Sequence, residues 1–496
     1  MLEALDREAA GPFEPAADMF VRCGDGGPAP RAPAPPRRPL DWPGPGPIDL
    51  AVHDLPHASS TTEWWYLKAH VQTVDGRAFS LFAAFFRVLT GRDEATGELE
   101  YAHSLTWAIS DAGRRRYVTQ SLVDRAAPRL GIEKIDRGEG TRDTRIRRAM
   151  REVCARGKVP YPDRMFERTP HVGRRRLELE FDRARLHKSD DGRYHLELHH
   201  DEQRIGAKLT FTLEKAPVRH GDDGVVKGTQ GEDMFYYFVP RCRVQGELLD
   251  AGVAVPLASG SGWYDHEFGR HPEGEAATQG KRDDVAWNWC GLQLDDGSEI
   301  SAYRIVDLGT QEVLGERVLV VDADGTRHDH RGGSFEGTNL WRSTRSFNEY
   351  PTRWALQVPE AGLSLALEAA FDDQEFVTVV SKPAFWEGRV AVHGTRGGRD
   401  VRGLGYVERS GFASIDDLEG FFAAVGKEVR RSVAELYPRS PSFEQARDLI
   451  ASESRPGWMD GVDVERFART MIHPVRDITD RGGKSWRSYA RSEERR

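Results

Sequence analysis

The chain has 496 residues, 39% hydrophobic and 30% charged, with a mean hydropathy of -0.60, a globular composition with enough apolar material for several cores. A formal charge of -9 argues against a basic nucleic-acid groove. No apolar run of transmembrane length occurs, and the cysteines Cys23, Cys154, Cys242 and Cys290 are scattered without a CxxC pair, so neither an integral membrane protein, a disulfide framework nor a sulfur-rich zinc site is expected.

The first twenty residues lack the basic start and apolar centre of a secretory signal, which makes a cytoplasmic chain with reduced thiols the expectation. Residues 24–48 are dense in Pro and Gly and read as an extended arm, so that 1–47 forms an N-terminal segment. From residue 48 to 412 the period is two: Leu177–His187, Tyr194–His200, Lys208–Ala216, Leu363–Phe371 and Arg389–Thr395 alternate apolar and polar residues. Asp75-Gly76, Asp191-Gly192, Asp296-Gly297 and Asp324-Gly325 mark turns between strands. This stretch of about 365 residues exceeds one small barrel, which predicts two β-domains, 48–275 and 276–412.

One interruption is helical. Arg142–Ala155 carries Ile146, Met150 and Val153 at helical spacing within an Arg-rich insertion, either a solvated basic face or a cap over a pocket mouth. After residue 412 the apolar period lengthens through Leu418, Phe421, Phe422, Val425 and Val429, predicting an α-helical extension over 413–496 with a basic tail.

Four blocks carry chemistry-bearing residues. His53–Val71 holds Glu63, Trp64, Trp65 and Tyr66; on a strand Glu63 and Trp65 share a face, either a proton-handling carboxylate beside an indole or a core Trp with a Glu bonded to a strand-end amide. His53 and His57 lie in a Pro-containing segment without an evident third ligand, so no metal is expected. Ser259–His271 places Asp265 and Glu267 on one face with Trp263. Paired acids beside aromatic rings hold one carboxyl protonated, as a Brønsted acid needs; the alternative is a salt-bridge knot at the domain junction. Val285–Val306 puts Trp287 and Trp289 on one face, and its Asp295-Asp296-Gly-Ser-Glu299 run lies on a turn, unsuited to the helical metal motif of terpene synthases. In the fourth block Trp354, Trp386, Glu387, Tyr406 and Glu408 read as fold-forming.

In this order the blocks EWWY, SGSGWYDHEFG, WNWCGLQLDDG, YPTRW, FWEG and GLGYVERSG resemble the carotenoid 1,2-hydratase (hydroxyneurosporene synthase) family and its lipocalin-like relatives. The resemblance implies a mainly β chain of two consecutive lipocalin-like antiparallel barrels and cofactor-independent chemistry on a hydrophobic isoprenoid or polyketide. It implies Asp265 as proton donor. The hydratases use an upstream His-x-Trp pair where this chain reads Phe235–Phe238, so protonation followed by cyclisation fits as well as hydration. Asp477–Ala490 resembles the entry segment of isoprenyl diphosphate synthases, which implies diphosphate contacts from Lys484 and Arg487, or docking of the extension to a prenyltransferase-like domain or protein.

The resulting expectation is an acid-initiated terpene cyclase or hydratase. Asp265 donates the proton, with Glu63 and Glu267 tuning it or taking the final proton. Trp65, Tyr66, Trp263, Tyr264, Trp287, Trp289 and Tyr236 line the substrate and stabilise a cation. A pericyclase, which needs no essential acid, and a non-catalytic carrier of a hydrophobic ligand are the alternatives. No Gly-x-Ser-x-Gly elbow supports simple hydrolysis.

Overall fold

The computed structural model describes residues 38–138, 144–221, 223–227, 233–270, 285–307, 310, 312–346, 348–380 and 384–410. The helical extension expected over 413–496, with Lys484 and Arg487, lies outside the described residues, as does the domain boundary expected at 275.

The described chain is mainly β. The first sheet contains β1 (Thr62–Thr73), β2 (Ala78–Arg92), β3 (Leu99–Asp111), β4 (Arg116–Val123), β5 (Arg164–Met165), β6 (His171–Val172) and β7 (Glu178–Phe181). It continues through β8 (Ala184–Lys188), β9 (Tyr194–His200), β10 (Ile205–Leu213), β11 (Val218–Arg219), β12 (Val225–Lys227), β13 (Asp233–Asp250) and β14 (Val253–Arg270). The second holds β15 (Val285–Leu294), β16 (Glu299–Asp307), β17 (Val313–Val321), β18 (Arg327–His330) and β19 (Ser334–Arg342). It is completed by β20 (Glu349–Val358), β21 (Leu363–Ala369), β22 (Glu375–Phe376), β23 (Phe385–Arg396) and β24 (Arg399–Ser410). Three helices are described, α1 (Leu50–His53), α2 (Ala127–Asp136) and α3 (Thr144–Ala155).

The first sheet runs β5-β4-β3-β2-β1-β14-β13-β10-β9-β8-β7-β6, with β11 and β12 on β13; the second runs β18-β17-β16-β15-β24-β23-β21-β20-β19, with β22 on β23. Half-buried strands follow a two-residue period: in β21 Leu363, Leu365 and Leu367 are buried while Ser364, Ala366 and Glu368 are exposed. All four Asp-Gly turns place their glycine at positive φ, between 81° and 88°.

Both sheets curl into half-barrels. Phe181 of β7 meets Phe85 of β2 and His103 of β3 with ring centroids 5.3 Å apart, so strands far apart in the sheet touch across one interior. Three apolar clusters result. One fills the first sheet (Trp107, Leu196, Phe211), one the second (Leu292, Leu356, Trp386), and the third lies between the sheets (Phe82, Trp263, Phe376, Tyr406). Central β1 is therefore buried on both faces from Trp65 to Val71, unlike β21.

The insertion does more than present a solvated basic face. Asp163 accepts hydrogen bonds from the Thr378 hydroxyl (2.7 Å) and from the amides of Val379 (2.6 Å) and Val380 (2.8 Å), tying the insertion to the segment that follows β22.

Candidate active site between the two sheets

Register decides which residues meet. β1 and β14 pair with Tyr66 opposite Asp265 and Lys68 opposite Trp263. Even-numbered residues of β1 thus share a face with odd-numbered residues of β14, and on β13 the matching residues are Tyr236 and Phe238. That face looks toward the second sheet, where β15 contributes Trp289 and β24 Tyr406.

Asp265 sits in this layer, only 4% exposed. Its Oδ1 accepts from the Trp263 indole at 2.8 Å and from the Tyr236 hydroxyl at 3.0 Å. Burial pushes its carboxyl up to about 7, opposed by the Trp263 bond, the Lys68 charge and the Tyr236 bond, and reinforced by Glu408. Burial also pushes the Lys68 ammonium down to about 7, against the attraction of Asp265, Cys290 and Glu387. The ammonium lies 4.6 Å from the Trp263 ring centroid, 5.0 Å from that of Trp289 and 5.8 Å from that of Tyr406. These three rings thus line the place of the Lys68 amino group.

The second sheet supplies a further acid. Glu387 accepts from the Tyr66 hydroxyl at 2.5 Å, and its backbone carbonyl accepts from the Tyr117 hydroxyl at 2.6 Å. Burial, then the charge of Glu408 directly opposite on β24, holds the Glu387 carboxyl well above the usual range.

Of the sequence-derived set, Asp265, Trp263, Tyr66, Tyr236 and Trp289 come together between the sheets. Trp287 packs against the same cluster and donates to Glu408 at 3.0 Å. Glu267 shares the Asp265 face at the level of Tyr236, nearer the strand end. The expectation that grouped Glu63, Trp65 and Tyr264 with Asp265 is corrected. Alternation turns all three to the interior of the first sheet, behind the backbone that carries Asp265. There Glu63 accepts from the His57 ring (2.8 Å), the His266 ring (2.9 Å) and Arg87 Nε (2.6 Å), which holds its carboxyl far below the ordinary range despite burial. Trp65 stacks on His266 and donates to the Asp54 carbonyl at 2.9 Å; the Tyr264 hydroxyl donates to Asp54 at 3.0 Å. His57, Glu63 and His266 converge closely enough to ligate a metal. The Arg87 guanidinium on the same carboxylate already matches its charge, so the cluster fits a hydrogen-bonded anchor for the 49–60 segment better than a cation site.

Lys68, Glu387, Tyr117, Tyr406 and Glu408 are the site residues that sequence reading missed or assigned to folding. Tyr66, Lys68 and His70 alternate through an otherwise apolar strand, a readable signal of a polar face. The Glu387–Glu408 pairing needs the register of β23 on β24. The FYYF stretch that departs from the hydratase pattern supplies Tyr236, a donor to Asp265.

Two curled, almost wholly antiparallel sheets with a buried acid–aromatic layer packed between them define a two-domain, lipocalin-like protein. The AttH-like family model matches residues 43–412, and the chain belongs to the AttH-like family. Kievitone hydratase of Fusarium solani subsp. phaseoli is 25% identical over 228 residues, 42% of this chain. The match spans 57% of the length of that curated relative. Among solved structures, an AttH protein of Nitrosomonas europaea superposes with a TM-score of 0.56 at 20% identity, over 75% of this chain and 99% of its own. Kievitone hydratase of Nectria haematococca superposes with a TM-score of 0.52 at 14% identity, over 74% of this chain and 92% of its own. These superpositions fix the two-sheet fold. Among the described residues no helix is long and apolar enough to cross a membrane.

Proposed function

We propose that this protein is a cofactor-independent enzyme of the hydratase or cyclase type, in which Asp265 protonates a double bond or epoxide of a hydrophobic isoprenoid. The observation that carries this reading is the Asp265 carboxyl. It is buried, fixed through one oxygen by Trp263 and Tyr236, and raised to about 7, so that a carboxylic acid is available at neutral pH. With an alkene, the π pair forms the new C–H bond, the proton leaves Asp265, and the neighbouring carbon becomes cationic. In this buried layer aromatic rings, rather than water, surround that cation. Attack by an internal double bond followed by proton loss gives a cyclic terpenoid; capture by water gives an alcohol. Similarity to a protein named kievitone hydratase supports the hydratase side of this reading.

The test is Asp265→Asn, assayed against a panel of geranyl, farnesyl and geranylgeranyl compounds. Product formation falls about 10²–10⁴-fold, the range for removal of a positioned general acid, while folding and ligand binding persist. Full turnover by the variant overturns the assignment.

A further inference from the structure

Lys68 performs no step in the chemistry above, yet the fold builds a place for it. Its side chain starts on β1 and ends at the second sheet, where Nζ donates to the Gly291 carbonyl. A Cβ at residue 291 would come within 2.8 Å of the Trp289 ring and take the space that Lys68 Nζ fills, so the ammonium would have to move. The ammonium therefore occupies a slot opened by a glycine on one sheet and roofed by Trp263, Trp289 and Tyr406.

This slot adjoins the acid. Lys68 lies over the Trp263 ring whose indole nitrogen donates to Asp265. The titratable and charged groups facing the layer include Tyr66 and His70 of β1, Tyr117 of β4, Tyr236 of β13, Asp265 and Glu267 of β14, Glu387 and Arg389 of β23, and Tyr406 and Glu408 of β24, while Cys290 of β15 lies behind it in the core of the second sheet. Burial and the other carboxyls drive Asp265 toward its neutral form, and Lys68 is the cation that opposes them at both Asp265 and Glu387.

Resting on the reading of Asp265 as the acid, we propose that Lys68 is a positioning residue. It is a caged counter-charge that keeps Asp265 able to release its proton and that offsets the carboxylate left behind. Without it, an acid this deeply buried holds its proton too tightly to give it up.

The test needs no substrate. In the full-length chain the C=O stretch of protonated Asp265 is followed by infrared spectroscopy against pH, the band being assigned by its loss in Asp265→Asn. Lys68→Met moves the midpoint of that titration up by about one to three units, the size expected for losing an adjacent cation. Gly291→Ala keeps the lysine but displaces its ammonium; it moves the midpoint the same way and stands in if Lys68→Met fails to fold. An unchanged midpoint in the folded variants overturns the proposal and assigns Lys68 a packing role. That outcome is distinct from full turnover by Asp265→Asn, which removes Asp265 as the acid while leaving the titration intact.

Discussion

Two buried carboxylates on neighbouring strands, Glu63 of β1 and Asp265 of β14, show how environment assigns roles to one chemical group. Glu63 collects two histidines and an arginine, and its proton is driven off. Asp265 collects neutral donors and aromatic rings, and its proton is retained. Two pH effects of opposite sign follow. The Glu63 carboxyl is lowered in the folded state, so it stabilises the fold above its unfolded value of about 4.3, and that contribution is lost as pH falls below it. Glu63→Ala leaves Arg87 buried and uncompensated, which costs about 3–5 kcal/mol in chemical denaturation at pH 7; a cost below 1 kcal/mol contradicts the anchor role. Asp265 must be protonated to act, so turnover is constant below about pH 6 and declines as pH rises through about 7. Activity that climbs across that interval contradicts an acid role.

At the scale of the element, the strands were legible because a half-buried strand writes its period into its residues. The Asp-Gly turns were legible because few other pairs tolerate positive φ there. Faces within a strand were legible too: Asp265 with Trp263, and Trp287 with Trp289, lie as alternation requires. Register was not legible. Glu63 was grouped with Asp265 because each lay beside tryptophan in its own strand, and only the pairing of Tyr66 opposite Asp265 separates them. One residue of offset moves every side chain to the other face. Pairing between β13 and β14 shifts between Arg243 and Glu247, where β13 bulges. Gly246 occupies it at φ 133°, and a Cβ there would run into the Lys208 carbonyl. Gly246→Ala therefore costs about 1–3 kcal/mol in thermal or chemical unfolding. Unchanged stability means the bulge is not under steric constraint.

At the scale of the molecule, the site belongs to neither half-barrel alone. The first sheet supplies Asp265, Trp263, Tyr236, Tyr66 and Lys68; the second supplies Trp289, Glu387 and Tyr406. Sequence patterning revealed two β-regions but not that their outward faces would pack together, since patterning records burial without naming the partner. The junction has its own clamp: buried Glu299 on β16 accepts from Lys215 (2.6 Å) and Arg241 (2.5 Å) of the first domain, and Lys215 also donates to the carbonyls of Gly297 and Asp322. Glu299→Ala strands these cations and costs about 3–5 kcal/mol, with hydrogen exchange accelerating on both sides of the junction, at β13 and at β16. Acceleration confined to β16 contradicts a clamp between sheets.

The central claim is that a proton from Asp265 starts the chemistry. It is tested most directly by turnover of an isoprenoid substrate in deuterated water, with mass spectrometry of the product. The account predicts one solvent deuteron bound to carbon in each product molecule in the wild type, and product from Asp265→Asn reduced about 10²–10⁴-fold. A product formed without deuterium on carbon, at a rate the variant preserves, contradicts it and points to a pericyclic reaction in the same layer.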